Sequence, residues 1–144
     1  MRIHAVVMAV LLLACGGKGE DTFWVRLESQ SIECRGQCYF RLDVSSDGNA
    51  QLATAEAKGK FESYLSFSLT ESEKRGGLDD VWLARTQAWA PTYGCPDCVD
   101  RMRYDLEFSN SDEVRRAAMD PTSLPEYMAP LIRRMEALLR ITLR

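Results

Sequence analysis

Apolar and polar side chains alternate in several segments of this chain, which is typical of β-strands that bury one face. In the clearest segment, Met102, Tyr104, Leu106 and Phe108 form the apolar set. The alternation predicts six strands, at about 23–28, 39–44, 50–57, 61–69, 100–108 and 113–119. A chain with this pattern must build its core on a sheet.

Two segments have helical spacing instead. Thr70 followed by Glu73 is a capping box, which predicts a helix from there to about Ala84. The Gly76-Gly77 pair inside this helix costs about 2 kcal/mol relative to alanine. We therefore expect the pair either to detach the first turn or to let another backbone approach closely.

Both predicted helices have an apolar face. In the first helix this face contains Leu78, Val81 and Trp82. The second helix follows Pro121 and Pro125 and carries a longer stripe: Leu124, Met128, Leu131, Ile132, Met135, Leu138 and Leu139. Each helix can therefore cover one face of a sheet.

The order of these elements is four strands, a helix, two strands and a helix. Runs of strands with segregated helices predict an α+β fold, a two-layer sandwich of an antiparallel sheet of five to six strands with two helices on one face. The other sheet face is then open to water or to a partner. The polar registers place on it Trp24, Tyr39, Arg41, Arg101 and Arg103. Aromatic residues mixed with arginine are enriched in protein interfaces, so we predict a binding surface there.

Residues 86–98 lack any periodicity, and long irregular segments are often functional. Trp89 and Tyr93 in this segment are further candidate contact residues, because aromatic side chains dominate interface energetics. We nevertheless expect at least one of them to pack in the core.

The N-terminus has the layout of a secretory signal. Arg2 precedes an unbroken apolar run over 5–14, and Cys15 follows Leu12 and Ala14. This pattern resembles the lipobox of bacterial lipoproteins, which implies that Cys15 is lipidated and becomes the first residue of the mature chain. The predicted organisation is a signal peptide over 1–14, a lipidated tether over 15–21 and a single α+β domain over 22–144. The alternative is a buried N-terminal helix in a cytosolic protein.

The lipobox-like pattern also predicts a location. We expect the chain in a bacterial cell envelope, held in the membrane by lipid at Cys15 and facing the periplasm or the exterior. Gly16, rather than an aspartate, follows Cys15. By analogy with enterobacterial sorting, this favours the outer membrane.

Composition excludes several kinds of chemistry. The only histidine, His4, lies in the predicted signal peptide, so the mature chain cannot form a Ser-His-Asp triad or a three-histidine zinc centre. No lysine lies three residues after a serine, which excludes an S-x-x-K pair. The chain has 18 basic and 21 acidic side chains, so nucleic acid is not an expected partner. We therefore predict a non-enzymatic domain without a cofactor.

Four cysteines remain beside Cys15: Cys34, Cys38, Cys95 and Cys98. In an exported chain they are most simply two disulfides, and three connectivities are open. The short spacings favour two local bridges. One alternative is a four-cysteine zinc site, and the other is a redox C-P-D-C pair at Cys95 and Cys98.

Two family resemblances add to this interpretation. Cys34-x-Gly36-x-Cys38-Tyr39, followed by Asp47-Gly48 and a closing helix that matches P-x-x-x-x-P-L at 125–131, resembles a family of secreted bacterial domains of unknown function. More distantly, the second half is similar to emfourin-type inhibitors of thermolysin-like metalloproteases. The shared parts are the central helix, the Y-x-L strand at 104–106 and the entry to the last helix.

The sequence thus predicts a lipid-anchored, non-enzymatic envelope domain that binds a protein partner. The resemblance to emfourins implies an alternative, inhibition of a thermolysin-type metalloprotease. The C-P-D-C pair implies another, a thiol–disulfide oxidoreductase.

Overall fold

Seven strands form one sheet in the part of the chain that this computed structural model describes, residues 21–30, 36, 38–98 and 102–142. The strands are β1 (Phe23–Gln30), β2 (Tyr39–Ser45), β3 (Asn49–Ala55), β4 (Ser63–Ser68), β5 (Thr92–Tyr93), β6 (Arg103–Asn110) and β7 (Val114–Met119). Two α-helices accompany them, α1 (Glu71–Ala84) and α2 (Ala129–Thr142), with a short 3₁₀ turn at Pro121–Ser123. The predicted α+β class is confirmed.

The strands lie in the order β4-β3-β2-β1-β6-β7-β5. Every neighbouring pair is antiparallel except β5 and β7, which run parallel. The sheet therefore has one strand more than the upper predicted number. The added strand, β5, lies in the segment that was expected to be irregular. It has only two residues, too few to show alternation, and a backbone hydrogen bond from Asp120 N to Tyr93 O holds it beside β7.

The hydrophobic core lies on one face of the sheet. At its centre, Leu27 on β1 stands between Leu42 on β2 and Leu106 on β6, and all three side chains are buried. Helix α2 covers this face with five of the residues of its predicted stripe: Leu131, Ile132, Met135, Leu138 and Leu139. Helix α1 packs into the same core through Val81 and Ala84. Both helices thus cover one face, as predicted.

Helix α1 begins as the sequence predicts. Glu73 N donates to Thr70 Oγ1 at 3.2 Å, and Thr70 N donates to Glu73 Oε2 at 2.8 Å, so the capping box is formed. Its apolar face differs from the prediction at Trp82, which is 60% exposed. Val81 and Ala84, three residues apart, occupy the side that contacts the core, and the helical turn of about 100° per residue directs Trp82 away from it.

The predicted apolar set of β6 is confirmed except at its start. Tyr104, Leu106 and Phe108 are buried, whereas Met102 is largely exposed because it precedes the first paired residue, Arg103. None of the described helices is both long and apolar enough to cross a bilayer.

Candidate binding face of the sheet

The sheet face opposite the helices is not covered by any helix in the described part of the chain. We call it the open face. Of the residues predicted for it, Trp24, Tyr39, Arg41 and Arg103 lie on the registers that point away from the core, while Arg101 lies outside the described residues. The alternation of polar and apolar residues was therefore enough to predict the sheet face of these four side chains.

Charges of opposite sign alternate across the open face. Arg26 on β1 stands directly between Asp43 on β2 and Glu107 on β6. One step along β1, Glu28 stands between Arg41 and Asp105. In total, the strands of this face carry as many arginines as carboxylates: Arg26, Arg41, Arg103 and Arg116 against Glu28, Asp43, Asp105 and Glu107. The face is polar without a net charge.

These arginines are held in place by neighbours on the same face. Arg26 Nε donates to Asp43 Oδ1 at 2.6 Å, and its guanidinium lies 4.9 Å from the ring centroid of Trp24. Arg41 Nε lies 3.2 Å from Asp43 Oδ2 in an ionic contact, without hydrogen-bond alignment. The guanidinium of Arg41 also lies 4.5 Å from the ring centroid of Phe61. Ion pairs and cation–π contacts therefore fix both side chains.

Arg103 links the open face to the second cysteine pair. Its Nε and Nη2 donate to the two carboxylate oxygens of Asp105 at 2.9 and 2.8 Å, and Nη1 donates to Asp97. The hydrogen bonds to Asp105 raise the pKa of Arg103 above its usual value. Because Asp97 lies between Cys95 and Cys98, this ion pair holds the turn of the two cysteines against the first residue of β6.

Cys95 and Cys98 form a disulfide with a Cα–Cα distance of 5.4 Å, so one of the two predicted local bridges is confirmed. Cys98 N donates to Cys95 O at 3.2 Å and closes a turn, and no helix begins there. Cys38 is also disulfide-bonded, and its partner is neither Cys95 nor Cys98, which excludes the crossed connectivities for this pair. Cys34 lies outside the described residues. Cysteines joined to each other cannot supply the thiolates that zinc needs.

Trp24 and Tyr39 lie at opposite ends of the open face. Trp24 is paired with Ser45 at the end of β2, whereas Tyr39 begins β2 and is paired with Gln30. Both side chains are half-buried. A third aromatic residue, Tyr64 on β4, is 55% exposed on the same face and was not singled out from the sequence. The strand register assigns Tyr64 to this face, because Tyr64 pairs with Ala53 and Ala53 pairs with Arg41. The sequence alone does not show these pairings.

A broad, open concavity lies on this face above β2, β3 and β4. Its volume is about 490 Å³. Its lining includes the side chains of Trp24, Asp43, Gln51, Ser66 and Ser68. The combination of one aromatic ring with short polar groups offers a complementary surface for a side chain of a partner.

Trp89 and Tyr93 lie elsewhere. Both are partly buried and pack against the hydrophobic core, as was expected for at least one of them. Trp89 Nε1 donates to Ala84 O at 2.7 Å, and the hydroxyl groups of Tyr93 and Tyr127 lie 2.6 Å apart. Burial and the Tyr93 hydroxyl raise the pKa of Tyr127 to about 12. The structure does not bring these aromatic side chains to the open face.

The chain matches no protein-family model, and no curated protein is detectably similar to it. Among the described residues, no group of three or more His, Cys, Asp or Glu side chains converges as ligands for a metal ion.

Proposed function

We propose that this protein is a lipid-anchored, non-enzymatic binding domain of a bacterial cell envelope, whose open face engages a protein partner. The lipobox-like pattern ending at Cys15 supports the anchor. The organisation of the open face supports the binding role and is the observation on which the proposal depends.

The open face is suited to a protein for two physical reasons. Its arginines are already fixed by ion pairs and ring contacts, so little side-chain entropy is lost when a partner binds. Its balance of arginines and carboxylates gives no attraction for polyanions, whereas aromatic residues and arginine are the types enriched at protein interfaces. We expect an interface centred on Trp24 and the adjoining concavity.

The second cysteine pair supports a structural role over redox catalysis. In thioredoxin-like sites the first cysteine is activated at the N-terminus of a helix. Cys95 stands instead in a turn that Asp97 and Arg103 tie to the sheet. The disulfide thus fixes one corner of the open face.

Site-specific photo-crosslinking in the native envelope tests the binding face. A photoreactive residue at Gln51, which lines the concavity, should give a discrete protein adduct. The matched control places the same residue at Ala137, exposed on the outer side of α2. Gln51→Arg should abolish copurification of the crosslinked protein, and Ala137→Arg should not. No adduct at Gln51, or identical adducts from both positions, would contradict the proposal.

Intact mass of the membrane fraction tests the anchor. We expect a chain that begins at Cys15 and carries added acyl chains, and a Cys15→Ser variant that is released in soluble form. A processed chain without acyl mass, or a variant that stays in the membrane, would exclude the lipid anchor.

A further inference from the structure

We infer that the end of the domain at which the chain enters rests on the lipid bilayer, with the Trp82 side chain in the membrane interface. The inference depends on the proposed lipid anchor at Cys15. It adds an orientation and a second contact with lipid, which the anchor alone does not require.

The short tether limits how far this end can move from the membrane. Asp21, the first described residue, follows Cys15 by six positions. A fully extended chain spans at most about 3.6 Å per residue, so this segment reaches no more than about 22 Å. A domain of this size is therefore held with its entry end near the headgroups.

Trp82 lies at that end. The guanidinium of Arg85 is 5.2 Å from the ring centroid of Trp82 and 3.8 Å from Asp21 Oδ2, so it connects the tryptophan to the entering chain. Asp21 and Trp82 also line a common groove of about 410 Å³. Trp82 is the most exposed of the three tryptophans, since Trp24 and Trp89 are both partly buried.

Two further apolar side chains are exposed at the entry end. Leu83, which follows Trp82 on α1, is 42% exposed. Val114, at the start of β7, is 52% exposed and lies on the open-face register, because it pairs with Ser109, the partner of Trp24. The core uses none of these three apolar side chains. Apolar groups left outside the core at the entry end are accounted for if lipid covers them.

The chemistry of the groove fits a bilayer surface. Tryptophan is enriched at membrane interfaces because its ring is apolar and its N–H can donate to headgroups or water. The groove also contains Lys74 and Arg85 together with Asp21 and Asp47, a balanced set of charges that suits zwitterionic headgroups. Because the anchor already confines the domain, a weak contact suffices to orient it.

This orientation leaves the proposed binding face free. The open face runs along the strands from the entry end to the end at which Tyr39 and Arg103 lie. Its concavity, lined by Trp24, Ser45 and Asn49, lies on this face at the membrane-proximal end. A domain standing on its entry end would present that face sideways to a partner in the adjoining compartment.

Quenching by brominated lipid tests the contact. The full lipidated chain is reconstituted in phosphatidylcholine–phosphatidylethanolamine vesicles with bromine in the acyl chains. We expect clear quenching of the tryptophan emission, most of it lost in Trp82→Phe. Trp24→Phe is the matched control and should keep the quenching. Flotation of the same vesicles reports separately whether each variant is anchored.

The outcomes separate the two proposals. Protein that floats with the vesicles but is quenched equally in wild type and Trp82→Phe overturns the membrane contact and leaves the anchor intact. A blue-shifted but unquenched Trp82 emission also overturns it, because the side chain is then buried against protein. Protein that does not float removes the anchor and, with it, the inference.

Discussion

The side chain of Arg134 on α2 lies directly across Gly76 on α1. A Cβ built at Gly76 would be 2.7 Å from Arg134 Nη2, whereas one at Gly77 would meet only Arg134 Cδ, at 3.8 Å. Arg134 Nε donates to Asp80 on α1 at the same place. The glycine pair therefore admits a side chain of the second helix, where the sequence had suggested a separate first turn or another backbone.

The two glycines should respond differently to alanine. Gly77→Ala should stabilise the protein by about 1 kcal/mol, the gain in helix propensity, because the added methyl group meets only an ordinary contact. Gly76→Ala should stabilise it less, since the methyl group displaces the guanidinium from its pairing with Asp80. Urea unfolding of both variants measures the difference. In an Arg134→Ala background the two substitutions should become equal, and equal gains in the wild type would contradict the proposed contact.

The capping box should make stability depend on pH in the acidic range. Hydrogen bonds from the Thr70 backbone and hydroxyl hold the pKa of Glu73 below its usual value of 4.5. The stabilisation is therefore complete above the unfolded pKa and is lost as the pH falls below about 4.5. Thermal unfolding between pH 6 and pH 3 should show a steeper loss for the wild type than for Glu73→Gln. A Thr70→Ala variant should lose about 1 kcal/mol at neutral pH. If stability fell with pH equally in the wild type and in Glu73→Gln, the charge of Glu73 would not contribute to the cap.

Tyr104 should ionise only when the protein unfolds. Its side chain is 2% exposed, and its hydroxyl donates to Glu136 Oε1. Burial, followed by the interaction with Glu136, raises the pKa of Tyr104 well above its usual value of 10. The folded state thus favours the neutral phenol, and stability falls as the pH rises through about 10.

The measurement is an alkaline titration of phenolate absorbance with parallel circular dichroism. Wild type should show phenolate that forms together with loss of structure, and Tyr104→Phe should show one tyrosine less in that phase, whereas Tyr127, whose pKa is also raised, still titrates late in both. The variant should also be less stable by about 1–3 kcal/mol at neutral pH, because the hydroxyl no longer donates to a charged acceptor. Ionisation of all tyrosines before unfolding would contradict the buried assignment.

The Cys95–Cys98 disulfide should add little to global stability. It closes a loop of four residues, and the chain-entropy model gives about 2 kcal/mol for a loop of that length. Cys95→Ser/Cys98→Ser should therefore fold and lose no more than this in guanidinium unfolding under non-reducing conditions. The wild-type domain should not reduce insulin. A loss near 4 kcal/mol, the value for a loop of about sixty residues, would contradict the local pairing.

Local patterns predicted most of the elements and less of the candidate site. Alternation over six to eight residues gave β1, β2 and β6 with the correct faces, and the capping box gave the start of α1. Two-residue β5 has no pattern of its own. Its position depends on hydrogen bonds to β7, about 25 residues further along the chain.

The side chains of the binding hypothesis divide in the same way. The alternation placed Trp24, Tyr39, Arg41 and Arg103 on the open face, because a strand directs successive side chains to opposite sides. It did not reveal that Arg26 and Arg41 share the carboxylate of Asp43. That pairing follows from the strand register, which long-range packing sets.

The amino-acid sequence alone determined the class of fold, the sheet face that carries the polar side chains and the start of α1. Each of these features depends on residues close in sequence, within one or two helical turns or a few positions of a strand. The tertiary structure decided that Trp89 packs against the core, that Trp82 is exposed and that Gly76 faces Arg134. Those outcomes depend on which distant surfaces compete for each side chain. Burial is a property of the assembled core, and no short segment contains that information.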